Sequence, residues 1–237
     1  MAGTQKVDIT HSWDITSQEA IAIQQELRSK VILQDEFGTF QQVAGVDAGF
    51  EEGGSITRAA IAVLSFPELQ VQETAIARRR TSFPYVPGLL SFREAPAILE
   101  AMAQLAHPPD LLLCDGQGYA HPRRFGFACH LGVLCDLPSI GVAKSRLIGE
   151  HAAVGEERGA WQPLVDGDEV IGAALRTRVG TRLLYVSTGH RIGLETAIEL
   201  VLQCAPRYRQ PEPIRQAHHL ASRLLRPAKN AGLAMTG

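Results

Sequence analysis

Three carboxylates stand out for the company they keep. Asp115 follows a short apolar run, Leu111 to Cys114, and opens the turn Gly116-Gln117-Gly118, after which come His121, Pro122, Arg123 and Arg124. Such a run reads as a buried strand that delivers one acid into a turn where backbone can approach a ligand closely. Pro122 stiffens the exit, so that His121 and the arginines point back over the strand end. Asp47 ends a second strand-like stretch, Gln42 to Phe50, and Glu94 lies in a loop-to-helix segment between the two. Taken singly, an acid after a strand is an ordinary turn residue or helix cap. Three acids arriving at one sheet edge supply the hard oxygens that magnesium takes, with water and a phosphate completing its octahedron. Metal ions held this way can grip a scissile phosphate and activate water. Lys144, closing the short strand Ser139 to Ala143, adds a compact positive charge next to them.

The elements that must position these groups follow from periodicity and punctuation. Thr16-Ser17-Gln18-Glu19 is a capping-box pattern opening an amphipathic helix to about Val31, preceded by a loose arm, 1–15. Gln42 to Phe50, Ala59 to Ser65 and Val71 to Ala77 are expected as three strands in an antiparallel meander. A rigid loop, Pro84-Tyr85-Val86-Pro87-Gly88, leads to a helix from about Ser91 to Leu105 that is begun or interrupted at Pro96. After the Asp115 strand, Phe125 to Cys135 is an apolar helix. Val170 to Arg178 with Arg182 to Ser187 form a hairpin-like pair, and helices cover Leu194 to Cys204 and roughly Glu212 to Arg226. Strands in a meander, then alternating with helices, imply an α/β fold: a mixed sheet with helices on both faces. No repeat, low-complexity segment or linker divides the chain, so one catalytic domain, 16–226, and a tail, 227–237, are expected.

Composition excludes several classes. The chain has 237 residues, 45% of them hydrophobic, enough for a full core. No apolar run reaches the roughly 18 residues of a membrane span, and Met1 to Thr10 lacks a signal-peptide core. Cys114, Cys129, Cys135 and Cys204 have neither metal-finger spacing nor scaffold density, so reduced thiols in a cytoplasmic protein are expected. The formal charge of −2 is unevenly spread. Residues 74–149 are net +3, whereas 150–169 set Glu150, Glu156, Glu157, Asp166, Asp168 and Glu169 against Arg158 alone. This polarity suits a phosphate-facing side and a solvated back.

The ordered motifs carry a specific resemblance. Ala44-Gly45-Val46-Asp47-Ala48-Gly49-Phe50, Pro84-Tyr85-Val86-Pro87-Gly88-Leu89-Leu90-Ser91-Phe92-Arg93-Glu94, Asp115-Gly116-Gln117-Gly118, His121-Pro122-Arg123-Arg124 and Gly141-Val142-Ala143-Lys144-Ser145-Arg146-Leu147 resemble the motif series of endonuclease V, in the same order. Tyr208-Arg209-Gln210-Pro211-Glu212-Pro213-Ile214-Arg215-Gln216-Ala217-His218 resembles its C-terminal motif. The likeness runs from residue 16 to about 220. Ile214 departs from it, standing where a polar residue is expected, and Val86 replaces a frequent isoleucine.

The resemblance implies a ribonuclease-H-like fold and a DNA repair endonuclease. Members hydrolyse the second phosphodiester bond 3′ to deoxyinosine, leaving 3′-hydroxyl and 5′-phosphate ends. Carried over by motif, Asp47, Asp115 and Glu94 hold Mg²⁺, for which Mn²⁺ substitutes, while Lys144, His121 and His218 surround the phosphate. Pro84, Tyr85, Val86 and Pro87 form a wedge, and Tyr85 stacks where an extruded base has been. Gly88, Leu90, Gly116 and Gly126 line a pocket whose backbone N–H groups suit the oxygen of hypoxanthine and oppose the amine of adenine. His107, His130, His151 and His219 read as ordinary helix-face or surface histidines. DNA and single-stranded RNA both remain open as substrates, and a monomer without membrane association is expected. Two other classes compete: an actin-like sugar kinase, for its Gly45 to Gly49 turn, and a non-catalytic nucleic-acid binding domain.

Overall fold

The computed structural model describes residues 11–222. Residues 1–10 of the expected arm, 223–226 of the last helix and the 227–237 tail lie outside the described residues. Eight strands form one sheet in the order β3-β2-β1-β4-β5-β8-β7-β6. β1 (Gln42–Glu51), β2 (Ile56–Ser65) and β3 (Val71–Arg80) are the expected antiparallel meander. β4 (Leu111–Cys114) and β5 (Ser139–Ala143) join β1 in parallel. β6 (Trp161–Asp166), β7 (Glu169–Leu175) and β8 (Leu184–His190) return antiparallel to the far edge. This is the expected mixed α/β, ribonuclease-H-like sheet.

Side-chain alternation divides two cores. Val43, Leu111, Leu113, Val142 and Val186 face α4 (Leu194–Cys204) and α5 (Glu212–Ser222), meeting Val201 and Ile214. Ala44, Val46, Ile61, Leu112 and Cys114 face α2 (Leu90–Met102) and α3 (Phe127–Cys135), meeting Ile98, Phe127 and Leu131. β4 is buried at every position, as a central parallel strand with helices on both faces must be. The apolar Ile214 is fully buried in the α5 interface, which accounts for its departure from the family pattern.

Four local expectations change. α1 (Ser17–Leu27) has the capping box at Thr16 and Glu19, but its last turn tightens to a 3₁₀ helix over Arg28–Lys30. Residues 11–15 of the arm are packed: Trp13 and Ile15 join Phe83, Leu89 and Phe92, and His11 Nε2 lies 2.8 Å from His130 Nε2. α2 begins before Pro96 and passes through it. β6 arises in the acidic stretch; with Pro163 and only Leu164 buried, it is an edge strand lacking the period-two pattern that reveals strands. No helix among the described residues is long and apolar enough to cross a membrane.

α5 lies on β1 at backbone contact distance, which only a missing side chain allows. A Cβ on Gly45 would stand 1.9 Å from the Pro213 carbonyl oxygen and 2.5 Å from the Ile214 nitrogen. Both are backbone atoms, so relief requires lifting the helix. Gly45→Ala is expected to cost about 3 kcal/mol or more and to lower the melting temperature by roughly 6–12 °C. Calorimetry checks this; an unshifted transition would mean that α5 does not need the glycine.

Candidate active site

Asp47 and Asp115 converge because two strands stop pairing at the same level. The β1–β4 ladder ends with Val46 opposite Cys114, and the Asp115 N–H still donates to the Val46 carbonyl at 3.1 Å. The next residue along each strand therefore leaves the ladder beside the other, and both are carboxylates. β1 itself runs on to Glu51 against β2, so Asp47 marks the end of the parallel pairing and not of the strand. On α5, His218 meets Asp47, with Nδ1 2.7 Å from Oδ2. At the end of β5, Lys144 Nζ lies 2.5 Å from Asp115 Oδ2. One ligand atom each from Asp47, Asp115 and His218 falls within 4.8 Å of the others. Glu94 approaches from α2 and is buried.

The electrostatics record how close these acids are. Burial, then the Asp115 charge, raises Asp47 above the usual carboxylate range against the pull of His218 and the Ala48 N–H. Glu94 is pushed well up by burial, then by Asp47 and Asp115, with Arg93 opposing. A hard divalent cation among these oxygens would reverse both shifts, so the donor set and its charge fit a metal ion. Asp47 and Asp115 thus come together with Lys144 and His218 at their edges, while Glu94 feels both charges but stands outside the set of atoms within 4.8 Å.

A cleft of about 360 Å³ opens beside Asp115, and Tyr85, Gly88, Leu90, His121, Gly126 and Lys144 are among its walls. Tyr85 is 71% exposed on its rim, while Val86 folds partly against Phe83, Leu89 and Phe92. His121 belongs to the cleft wall. Its Nε2 pairs with the Gly88 carbonyl at 2.9 Å, and its Nδ1 accepts the Arg123 N–H at 3.2 Å. Burial, then the Arg123 charge, pushes it down to about 4, so a neutral ring donating from Nε2 satisfies both contacts. With both nitrogens engaged, His121 is committed to Gly88 and is absent from the acid cluster.

Two pocket glycines also act differently from expectation. The Gly116 N–H donates to the Cys114 carbonyl at 2.8 Å, and the Gly126 N–H to the Gly118 carbonyl at 3.0 Å. Neither is free to bond a base edge. Gly126 is needed for close approach, since a Cβ there would stand 2.5 Å from the Gln117 carbonyl oxygen. Leu90, by contrast, opens α2, where first-turn N–H groups have no intrahelical acceptor.

One residue that motif reading missed is Gln24 of α1, 1% exposed. Its amide nitrogen donates to the Gly88 and Phe125 carbonyls, each at 3.0 Å, and its oxygen accepts Arg123 Nε at 2.5 Å. Arg123 Nη2 also donates to the Gly88 carbonyl, at 2.8 Å. A glutamine on an amphipathic helix offers no sequence signal for this, because its partners lie 64 and 101 residues away. Gln117 and the loop from Ser145 to Leu147 complete the wall and lie inside quoted motifs.

The comparisons with known proteins agree with this geometry. The profile of the family described as Endonuclease V matches residues 25–219. An endonuclease V of Trichormus variabilis is 60% identical over 213 residues, covering 90% of this chain and 96% of its own. The crystal structure of endonuclease V from Streptomyces avermitilis superposes with a TM-score of 0.85 at 44% identity, covering 92% of this chain and 96% of that one. Endonuclease V of Ciona intestinalis, solved in complex with a 23mer DNA containing an inosine followed by a ribo-adenosine, gives a TM-score of 0.77 at 29% identity, covering 87% and 97%. With a family match spanning most of its length and the acids of the nuclease motifs gathered at one sheet edge, this chain belongs to the endonuclease V family of nucleases.

Proposed function

We propose that the chain is a magnesium-dependent endonuclease that takes an extruded hypoxanthine into the cleft and hydrolyses the second phosphodiester bond 3′ to it. The observation that carries this reading is the shared wall: Asp115 and Lys144 border the same cleft as Gly88, Leu90 and Gly116. A base held there leaves its own strand lying across the acids. The Ciona complex supports deaminated adenine as the base, because that relative was crystallised on an inosine-containing strand. Its ribo-adenosine favours, as a second reading, tolerance of ribose next to the lesion.

Each residue then has a task. Asp47 and Asp115 supply the metal's oxygens, with Glu94 behind them, and His218 orients Asp47 through Nδ1. Magnesium, when bound, supplies Lewis-acid polarisation of the phosphoryl oxygens and a more acidic water. Lys144 is half exposed and can move from Asp115 to a phosphate oxygen, where a point charge offsets the charge that builds during displacement. Gln24, His121 and Arg123 hold the Gly88 carbonyl in place, which fixes the adjoining backbone in the cleft wall. Tyr85, on its proline-flanked ridge, fills the space the base vacates.

The direct test is an end-labelled strand carrying one inosine. A single nick is expected with magnesium and none with chelator or with adenosine in place of inosine; equal cutting of both strands would remove the lesion from the proposal. Asp115→Ala is expected to abolish the nick while the melting temperature stays close to wild type or higher, and a folded variant that cuts at the normal rate would sink the metal assignment. Tyr85→Ala removes a stacking contact of about 1–3 kcal/mol, so affinity for the inosine strand should fall roughly ten- to a hundred-fold. If instead the free variant melts lower and its folded fraction binds normally, Tyr85 is part of the core.

The placement of His121 has a separate consequence for stability. Its folded value lies near 4, below the ordinary 6.5, so its contribution is fully present above pH 6.5 and is lost as the pH falls toward 4. The amount is on the order of 3 kcal/mol. His130 is depressed in the same sense, by burial and then by His11, whereas Asp47 and Glu94 are raised and act oppositely. Comparison with His121→Gln isolates the one group: denaturant titrations from pH 7 to 4 should show the variant losing less stability than wild type. Parallel curves would mean that His121 is not held neutral by the fold.

A further inference from the structure

Three loops meet at the strand end that carries Lys144, and the first of them also borders the cleft through Lys144 to Leu147. Lys144 begins the loop 144–148 after β5. β8 runs antiparallel to β5 with Tyr185 opposite Ala143, which brings the β7–β8 loop, 176–183, to the same sheet end. The α4–α5 loop, 205–211, closes over both. Arg209 locks them together: its Nη2 donates to the Lys144 carbonyl at 3.0 Å and the Leu183 carbonyl at 2.7 Å, and its Nε to the Arg182 carbonyl at 2.8 Å. Arg178 Nη1 donates to the Arg207 carbonyl at 3.2 Å, and Thr177 Oγ1 to the Arg209 carbonyl at 2.6 Å.

The charge on these loops is one-sided. The chain as a whole holds 23 Lys and Arg against 25 Asp and Glu, yet none of the three loops contains an acid. Arg146, Arg178, Arg182 and Arg207 are exposed and make no ion pair among the described residues. Of the acids that adjoin the loops, Glu156 is taken by Arg176 at 3.2 Å and Glu212 by Arg215 at 3.1 Å. Within the 205–211 loop Arg207 lies over the Tyr208 ring at 5.4 Å, and Arg215 of α5 stacks on the same ring at 3.6 Å. Like charges crowded at one edge, on loops tied together by Arg209 and without acidic partners among the described residues, suit a polyanion better than open water.

We propose that these loops form a phosphate track for the part of the nucleic-acid strand that lies 3′ of the cut. The proposal rests on the reading that the cleft takes the lesion base. Cleft residues Gln24, Ser91 and Phe127 come from the α1, α2 and α3 side of the sheet. The loops 176–183 and 205–211 lie toward α4 and α5, and Asp115, Lys144 and the shared loop 144–148, with Arg146 in the cleft wall, stand between. A strand whose base enters the cleft and whose scissile phosphate sits at Asp115 must leave over the track. Arg182 and Arg207 then meet successive phosphates, and their main function is to hold the strand that becomes the 5′-phosphate product.

Arg182 and Arg207 contribute to the loop lock through their carbonyls alone, so Arg182→Gln with Arg207→Gln removes the charges and keeps the lock. Binding is measured without divalent metal, so that nothing is cut, on two inosine strands with the same 5′ arm. One extends well beyond the cut on its 3′ side and the other stops just past it. On the long strand, the slope of log affinity against log salt should be shallower in the double variant by about 1.4, about 0.7 for each phosphate released. On the short strand, wild type and variant should coincide. Equal slopes on the long strand, or an equal change on both strands, would overturn the track. Failure of the cleft reading itself shows differently: wild type would then bind inosine and adenosine strands alike.

Discussion

The parallel pairing of β1 with β4 fixes the separation of two carboxylates, and most of the cleft is arranged around the cost of that separation. At 4.8 Å or less, with an effective dielectric of about 20, two ionised groups repel by on the order of 3 kcal/mol. Burial adds to this for Asp47 and more for Glu94. The fold answers with partners that can be displaced: the Lys144 ammonium on Asp115 and the His218 ring on Asp47. Both partners are more than two-fifths exposed, so each contact is weak and each side chain is free to turn to a phosphate. The site is thus poised for a cation without collapsing in its absence.

α5 bears on the same geometry from the other side. It delivers His218 to Asp47 only because Gly45 and Gly49 let its backbone lie against β1; a Cβ at Gly49 would stand 2.9 Å from the Ala221 carbonyl oxygen. Meanwhile the cleft depends on a carbonyl held in place. Three donors, from α1, from His121 and from Arg123, converge on the Gly88 oxygen. A peptide pinned through its oxygen cannot rotate, so the N–H groups that follow it are fixed in direction before any base arrives. Selectivity between an oxygen and an amine on a purine needs that rigidity, since a mobile loop could present either donor or acceptor.

Much of this was legible in the sequence because it is written in short, local runs. The apolar segment Leu111 to Cys114 placed Asp115 at a strand end, Gln42 to Phe50 placed Asp47 on a strand although not at its end, and the proline-rich ridge announced Tyr85. What was hidden is long-range. Gln24 acts across 101 residues, and nothing in its own helix marks it. The N–H groups of Gly116 and Gly126 looked available because a glycine motif reveals close backbone approach but not which carbonyl already accepts. His121 was read as a phosphate group from its motif, whereas the fold spends both ring nitrogens on neighbours. β6 escaped notice since an edge strand with one buried side chain has little hydrophobic pattern to show.

Thermal melting at neutral pH, at constant ionic strength and with increasing magnesium, tests most directly whether convergent acids at the β1–β4 junction form the cation site. The melting temperature of wild type should rise with magnesium, equivalent to about 2.7 kcal/mol at a hundred times the dissociation constant. Asp115→Asn should melt higher than wild type without magnesium, because one repelling charge is gone, and should respond little to the ion. Melting that ignores magnesium in wild type, or an Asp115→Asn protein that melts lower without it, would contradict a metal site built on like-charge convergence.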